Sequence, residues 1–301
     1  IDDHDPKTFK MLCNGDSTAV FQFESSGMQQ ILRQAHPDSI EDIVALNALY
    51  RPGPMQYIPT FINCKNGKQP IQYPDPDLKP VLENTYGVIV YQEQVMKVAQ
   101  VIAGYTLGQA DILRRIMGKK KADKLAHELP IFEAGAEKLG RTKQHADDIF
   151  EMLKPFAGYG FNKSHAVAYS LVAYQTAFLK ANYPAEFLAA NLTNEMGNPD
   201  KFNEYLEVAK EMGLKIQPPD INKSECYFTV VDGVIVYGLA GIKNAGEEPV
   251  KLLVAEREKN GPYASFVNFL MRLDGRAYNS KLLESLIKAG AFDSLGVNRP
   301  T

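Results

Sequence analysis

The spacing of apolar residues along the chain predicts a mostly helical protein. Over residues 1–215, apolar side chains recur mainly at three- and four-residue steps, which places them on one face of an α-helix. Residues that start and stop helices agree with this period. Ser25 stands where a cap is expected before a helix that reaches Ala35, and Pro52 and Pro54 must end the next long helix.

Short strands are predicted in both halves of the chain. Alternating side chains over 19–24 and an apolar run over 87–91 each indicate a strand within the helical part. Near the carboxyl end, a β-prone run over 227–237 is interrupted by Asp232 and Gly233, the dipeptide that most strongly indicates a two-residue hairpin turn. The predicted fold class is therefore mostly α with short β hairpins, an α+β protein.

The densest positive charge lies at 113–124, where six cations face a single carboxylate. The six are Arg114, Arg115, Lys119, Lys120, Lys121 and Lys124. Thr106 is expected to cap the helix that leads into this stretch and Gly118 to end it, so the two arginines sit on a rigid element. Arginine binds phosphate oxygens in a bidentate fork and lysine adds mobile charge, so this pattern suits a polyanion.

A second polar stretch, 154–165, contains two glycines on either side of Tyr159. Such glycines permit close approach of the backbone to a neighbour. Ser164 is the expected cap of the following helix, whose first amides, with Lys163 and His165 beside them, would form an anion site. The apolar face of that helix is predicted to consist of Val167, Leu171, Tyr174 and Phe178.

Two glycine-bearing turns stand close to helices near the carboxyl end. The first, over 238–246, precedes a helix predicted at 247–257, and the second lies at the end of the helix that includes Lys288. Backbone amides in such turns donate to phosphate oxygens without any side-chain charge. The second turn is the weaker candidate, because it has no G-x-G pattern.

Each of these motifs also has a purely structural interpretation. Asp111 and Arg115 are spaced for an i,i+4 pair on a solvated helix end, and Arg51 is placed to cap the helix before it. The glycine turns are also common in proteins that bind no phosphate. Polar residues after the predicted strand at 87–91 suit either recognition or capping and packing; they are Tyr91, Gln92 and Gln94. The sequence pattern leaves these alternatives open.

Composition narrows the function classes. The formal net charge of −3 over 301 residues excludes a uniformly basic DNA-coating protein, so any nucleic-acid contact must be concentrated in patches. The three cysteines are scattered and predict no disulfide framework, and no His/Cys pair has zinc-ligand spacing. With no signal peptide or apolar run of membrane length, we expect no membrane contact and a cytoplasmic location.

Four sequence blocks, in order, resemble the alpha subunits of bacterial DNA polymerase III, the C-family replicative polymerases. The blocks are R-P-G-P at 51–54, V-Y-Q-E-Q-V-M at 90–96, L-R-R with G-K-K-K at 113–121, and 156–165 followed by Ala168-Tyr169. The resemblance covers essentially the whole chain. It implies a fingers domain over 1–215 and a β-hairpin with a tandem helix-hairpin-helix DNA-binding region over 216–301.

The resemblance also implies roles for individual residues, since the fingers of that family close over the incoming nucleotide. Arg114 and Arg115 are expected to reach the triphosphate of the dNTP. The same cleft is expected to be lined by Tyr159, Asn162, Lys163, Ser164 and His165. Contacts with template-primer DNA are expected from Arg51, Lys119, Lys120 and Lys121, and through the backbone at Gly241, Lys243 and Gly246.

Other parts of the polymerase are expected outside this chain. The palm aspartates that hold two Mg²⁺ ions should lie before Ile1, and a tail that binds the sliding clamp should lie after Thr301. The chain alone is therefore expected to hold no metal and to be inactive as a nucleotidyltransferase. The complete enzyme is expected to bind Mg²⁺, the sliding clamp and other replisome subunits.

Two alternatives from other functional classes remain at this point. The chain could be a stand-alone DNA-binding scaffold without a link to catalysis, which would bind DNA with no dependence on nucleotide. It could instead be a structural adaptor whose basic helix docks onto an acidic partner. Salt sensitivity would not separate them, because contacts to phosphates and to acidic proteins both weaken under screening.

Overall fold

The computed structural model divides the chain into two compact units, Ile1–Phe178 and Leu179–Thr301. It describes residues 1–119, 122–273 and 279–296, and of these it does not describe the side chains of 122, 123 and 157–159. The division between the units falls inside a long helix. The boundary predicted at 215/216 separates functional regions and not compact units, so this division does not test it and it stays a prediction.

In the described part of the first unit, the regular elements are helices. Its α-helices are α1 (Pro6–Cys13), α2 (Ser26–Ala35), α3 (Ile40–Leu49), α4 (Ile58–Lys65), α5 (Lys79–Leu82), α6 (Gln92–Ala103), α7 (Leu107–Gly118), α8 (Ala122–Lys138), α9 (Lys143–Tyr159) and most of α10 (Lys163–Asn182). Short 3₁₀ turns at Pro54–Tyr57, Pro76–Leu78 and Glu83–Thr85 connect them.

The second unit combines helices with a small sheet. Its elements are α11 (Pro184–Asn194), α12 (Pro199–Glu211), β1 (Ile216–Gln217), β2 (Thr229–Val231), β3 (Val234–Val236), α13 (Glu247–Asn260), α14 (Phe266–Arg272) and α15 (Ser280–Ala289). Further 3₁₀ turns lie at Leu239–Gly241 and Asp293–Leu295. The predicted α+β class with a predominance of helix is confirmed.

The hairpin predicted around Asp232 and Gly233 is present. Strands β2 and β3 pair antiparallel, with Val230 opposite Ile235, and the two turn residues have φ of 50° and 75°. Positive φ at both positions is what a type I′ turn requires. Strand β1 pairs parallel with β3 and gives the order β1-β3-β2. It was not predicted, because two residues are too few to show a period.

Two hydrophobic cores hold the first unit together. One lies among α1 to α4 and α10 and includes Leu12, Phe23 and Phe61. The other lies among α6 to α9 and includes Leu113 and Phe132. The second unit has a core of its own, formed by α13 to α15 and the segments before them. Apolar burial of this kind supplies most of the stability of such helices.

The strand predicted at 19–24 is wrong. Residues Ala19 and Gln22 both have φ of 64°, and the segment folds as consecutive turns. Val20 and Phe23 are buried, and the Ser17 hydroxyl donates to the carbonyl of Phe23 at 2.6 Å. The two buried side chains are three residues apart, a spacing that turns produce and a strand does not.

The strand predicted at 87–91 is also wrong. The segment makes only an isolated parallel bridge, between Tyr91 and Phe161. The amides of Val90 and Tyr91 donate instead to the side-chain oxygen of Gln94, at 2.8 and 3.0 Å. A glutamine side chain therefore satisfies two buried backbone donors that a neighbouring strand would have satisfied.

The predicted apolar face of helix α10 is correct in part. Tyr174 is buried, Val167 packs against the core and Phe178 is half-buried. Leu171, expected in the core, is 43% exposed. The residues of α10 buried in the first unit are mostly small: Ala166, Ser170, Ala173, Tyr174 and Ala177. A search for large apolar residues at helical spacing misses such a face, because alanine packs through the close approach of backbones.

We predict that Gly135→Ala destabilises the protein by about 1 to 3 kcal/mol, the range typical of overpacking. A Cβ atom at Gly135 in α8 would overlap the carbonyl oxygen of Ala103, at the end of α6. Gly108→Ala in α7 is the matched control, since its Cβ would meet no atom within 4 Å. The control should be neutral or stabilising by up to about 1 kcal/mol. Urea denaturation measures the free energy of unfolding of both variants. Equal changes in the two would contradict the close approach of α8 to the end of α6.

Candidate functional site

Three consecutive polar residues at the start of α6 organise the candidate site. Gln92, Glu93 and Gln94 each contact a different segment of the first unit. The sequence pattern left open whether such residues serve recognition or packing. Their hydrogen bonds show that Gln92 and Glu93 contact predicted site residues, whereas Gln94 does not.

Gln94 is a packing group. Besides accepting from the amides of Val90 and Tyr91, its side-chain nitrogen donates to the hydroxyl of Thr85 at 2.8 Å and to the carbonyl of Val81 at 3.2 Å. The side chain is buried, so these internal partners replace water. For this residue, the structural interpretation is the correct one.

Gln92 connects α6 to Arg114 of α7. The Nη1 of Arg114 donates to Gln92 Oε1 at 3.1 Å, and its Nε and Nη2 donate to Asp111 Oδ1 at 3.1 and 2.7 Å. Arg115 pairs with the other oxygen of Asp111 at 2.8 Å, as the i,i+4 interpretation expected, and its side chain is 66% exposed. Hydrogen bonds from Arg114 hold the pKa of Asp111 below its usual value. Two cations thus share one carboxylate, which leaves a net positive charge.

Glu93 holds the beginning of α10. Its carboxylate accepts from the amide of Lys163 at 3.0 and 3.1 Å and from the side-chain nitrogen of Asn162 at 3.1 Å. Asn162 Oδ1 in turn accepts from the amide of His165 at 2.8 Å. The cap of α10 is therefore Asn162, and the prediction that Ser164 caps this helix is wrong.

The free anion site predicted at the start of α10 is also wrong for the amides of Lys163 and His165. Glu93 and Asn162 already accept from them. A carboxylate satisfies the positive end of a helix in the same way that a phosphate does. Glu93 was not among the predicted site residues, because nothing in the sequence indicates that α6 and α10 begin side by side.

Arg51 lies beside the start of α6, where it contacts Phe161. Its guanidinium carbon is 4.5 Å from the ring centroid of Phe161, and its Nε donates to the carbonyl of Ala48 at 2.9 Å. The capping interpretation is thus correct for Nε, while the face of the guanidinium stacks on an aromatic ring. Burial lowers the pKa of Arg51 from its usual value. Phe161 itself is fixed by backbone hydrogen bonds with Val90 and Gln92.

A cavity of about 350 Å³ opens beside the start of α10. The Nζ of Lys163 lies at its wall, 5.4 Å from the ring centroid of Tyr91. The charged lining residues are Glu41, Glu93, Lys97 and Lys163, and apolar ones include Ile40, Val44, Val81 and Val167. Opposite charges are balanced here, so the cavity has no strong preference for anions.

The remaining predicted residues of the first unit are exposed or not described. Lys119 is exposed at the C-cap of α7, and Ser164 is exposed on the first turn of α10. Lys120, Lys121 and the side chain of Tyr159 lie outside the described residues.

In the second unit, the predicted phosphate-binding turn leads directly into α13. Gly246 has a φ of 72° immediately before the helix, a conformation that favours glycine. Gly241 packs against the ring of Phe228, where a Cβ would lie 3.0 Å from a ring carbon. Lys243 is exposed. The first turn of α13 also carries two acids, Glu247 and Glu248, both paired with Lys251.

Among the described residues, no group of three or more His, Cys, Asp or Glu side chains is placed to hold a metal ion. The expectation that Mg²⁺ is bound elsewhere in a longer enzyme stays a prediction. In the same part of the chain, no helix has both the length and the hydropathy needed to cross a membrane.

Comparison with known families matches both ends of the chain. Residues 1–140 match the family model described as the bacterial DNA polymerase III alpha subunit finger domain. Residues 213–301 match a helix-hairpin-helix motif. The first match contains Arg51, Gln92, Glu93 and Arg114, and the second contains the turn before α13.

Curated relatives extend the similarity over the whole chain. The DNA polymerase III subunit alpha of Borreliella burgdorferi is 61% identical over 301 residues, which is 100% of this chain and 26% of that protein. The subunits of Treponema pallidum and Escherichia coli K12 are 59% and 50% identical over 99% and 98% of the chain, and 26% of each protein is covered. The chain thus spans about a quarter of the length of these relatives.

We predict that Asn162→Ala lowers the free energy of unfolding by about 1 kcal/mol, the usual effect of losing a helix cap. The amide of His165 loses its acceptor in this variant. Ser164→Ala is the matched control, and it should leave stability unchanged within about 0.5 kcal/mol because the residue is exposed. Denaturant titration of both variants measures the difference. A larger loss in Ser164→Ala would restore Ser164 as the cap.

Proposed function

The chain belongs to the family of bacterial DNA polymerase III alpha subunits, and we propose that it binds the incoming dNTP and template-primer DNA within such an enzyme. One observation carries this proposal. The start of α6 brings together Arg114, Arg51 and the first turn of α10, which are far apart in the sequence. The cluster is predominantly cationic, which suits a phosphate-bearing ligand.

In this proposal, Arg114 and Arg115 bind the triphosphate of the dNTP. Arg114 is half-buried and oriented by Gln92 and Asp111, so little rotational freedom remains to be lost when it binds. Arg115 is exposed, and binding a phosphate would require it to give up only part of its ion pair with Asp111. Phosphoryl transfer depends mainly on charge neutralisation and in-line alignment, which is what two fixed guanidinium groups provide.

The first turn of α10 contributes through its side chains. Since Glu93 already accepts from the amide of Lys163, we assign dNTP contacts to the Lys163 ammonium and the His165 ring rather than to the backbone. Asn162, Ser164 and Tyr159 belong to the same proposed surface. Glu93 keeps the helix start in position for these side chains.

DNA contacts are proposed for both regions, with their boundary at 215/216. In the finger region, Arg51 and the lysines 119–121 would meet the phosphates of the template. In the helix-hairpin-helix region, backbone amides at Gly241 and Gly246, with the exposed Lys243, would hold the duplex without regard to sequence. The acids at the start of α13 favour a shallow contact through this turn.

Catalysis in this proposal requires parts of the polymerase that are not in this chain. Two Mg²⁺ ions on palm aspartates would neutralise the charge that develops on the transferred phosphoryl group. The described residues of this chain include no cluster that would hold a metal ion. They would position the triphosphate and the template, and the chain alone would not extend a primer. The sliding clamp and other replisome subunits are proposed partners of the complete enzyme.

We predict that Arg114→Ala in the complete alpha subunit raises the KM for dNTP about tenfold or more, the usual effect of losing a hydrogen bond to a charged group. Affinity for primed DNA should change less than twofold. The matched control is Lys68→Ala, an exposed cation in the same unit, which should change neither quantity. Steady-state primer extension and DNA-binding titration measure the two effects. Equal losses of dNTP use and DNA affinity would contradict the assignment to the triphosphate.

A further inference from the structure

Four aromatic rings follow one another along α10 and the turn beside it. The ring of His165 lies edge-on to Phe161, with centroids 5.2 Å apart, and stacks on Tyr169 at 4.3 Å with an interplanar angle of 15°. Tyr169 in turn contacts Phe21 at 5.6 Å. We call Phe161, His165, Tyr169 and Phe21 the aromatic row. The guanidinium of Arg51 lies over Phe161 at one end of it.

The row is exposed although its members are firmly held. Tyr169 is 41% exposed and Phe21 38%, and Val172 on the next turn is 44% exposed. The amide of Phe21 donates to the hydroxyl of Thr176 at 3.1 Å, which ties the turn to α10. Contiguous apolar surface of this kind usually marks a binding site.

The charge along α10 indicates what the row binds. The chain has 36 Asp and Glu residues among 301, yet α10 contains none over its 20 residues. Its exposed side carries amide, hydroxyl, aromatic and aliphatic groups, Lys163 lies in its first turn, and Arg51 stacks on Phe161 just before it. The acids beside the row are Glu93, which accepts from the amide of Lys163, and Glu24, which follows Phe21. A helix that itself has no acids, with cations at one end and exposed rings along it, complements a polyanion that has apolar faces.

We propose that the aromatic row binds single-stranded nucleic acid by stacking on unpaired bases. This proposal rests on the proposed function, since it assigns Tyr169 and Phe21 of the row to the unpaired template strand and leaves the His165 ring to the dNTP. Base stacking on aromatic rings is independent of sequence, and phosphates pair with neighbouring cations. A duplex is a poor occupant, because its base faces are covered by one another. A protein partner would not require the absence of acids along the whole helix.

A tryptophan reporter tests the contact directly. The chain contains no Trp, so Tyr169→Trp places a single indole within the row. We expect an oligo-dT of twelve nucleotides to quench the fluorescence of this indole, and a blunt duplex of the same length to quench it much less. Leu139→Trp, at a position 50% exposed just after α8, is the control and should show no quenching. Absence of quenching at Tyr169→Trp with saturating oligo-dT would overturn the proposal.

Affinity measurements on the full chain supply the second test. Tyr169→Leu and Phe21→Leu should each weaken oligo-dT binding about tenfold, the effect expected when the aromatic ring under one stacked base is removed. Tyr169→Phe should bind as the parent chain does. Leu171→Ala, equally exposed on another side of α10, should also leave the affinity unchanged.

The outcomes separate this proposal from the proposed function. If Tyr169→Leu binds oligo-dT and duplex DNA as tightly as the parent chain does, the proposed role of the aromatic row is wrong. The proposed polymerase function would not be affected by that result. Failure of the parent chain to bind either single-stranded or duplex DNA would contradict both.

Discussion

The need to satisfy buried backbone groups at the entrance to α6 fixes the rest of the candidate site. The segment before α6 runs through the core without a full strand partner, and unpaired buried amides would cost stability. Gln94 satisfies two of them and is itself fully hydrogen-bonded. Because this glutamine fixes the first turn of α6, Gln92 and Glu93 face Arg114 and α10 at defined positions. A packing requirement thereby sets the geometry of the charged site.

A buried ion cluster supports the other end of the same segment. The Tyr86 hydroxyl donates to Asp42 Oδ1 at 2.9 Å, and Lys65 Nζ pairs with the other oxygen of Asp42 at 2.9 Å. Burial raises the pKa of Tyr86 to about 12, so the hydroxyl remains a donor at physiological pH. Such clusters lose stability when one partner is removed, because a buried charge is left unpaired. The segment that positions the site is therefore anchored both before and after its buried run.

The sequence predicts local features well where one residue type has one physical reason to be there. Asp232 and Gly233 predict a type I′ turn because both residue types tolerate positive φ. Ser25 and Thr106 cap helices as expected. Features that depend on distant neighbours are not predictable in this way. The alternation at 19–24 suggests a strand and proves to be turns. The first amide of α10 is satisfied by Glu93, which is 70 residues away from Lys163. The role of Arg114 comes from the resemblance of the sequence blocks to the family, and it stays a prediction.

The central claim is that this chain supplies ligand binding to a polymerase whose metal ligands lie elsewhere. Arginines oriented by neutral and acidic partners, a capped helix start and an exposed aromatic row all suit binding, and none of them performs phosphoryl transfer unaided. The most direct measurement is primer extension with Mg²⁺ and all four dNTPs by this chain and by a version extended to include the palm. The account predicts extension by the longer chain only. A folded longer chain that binds DNA but extends no primer would contradict it.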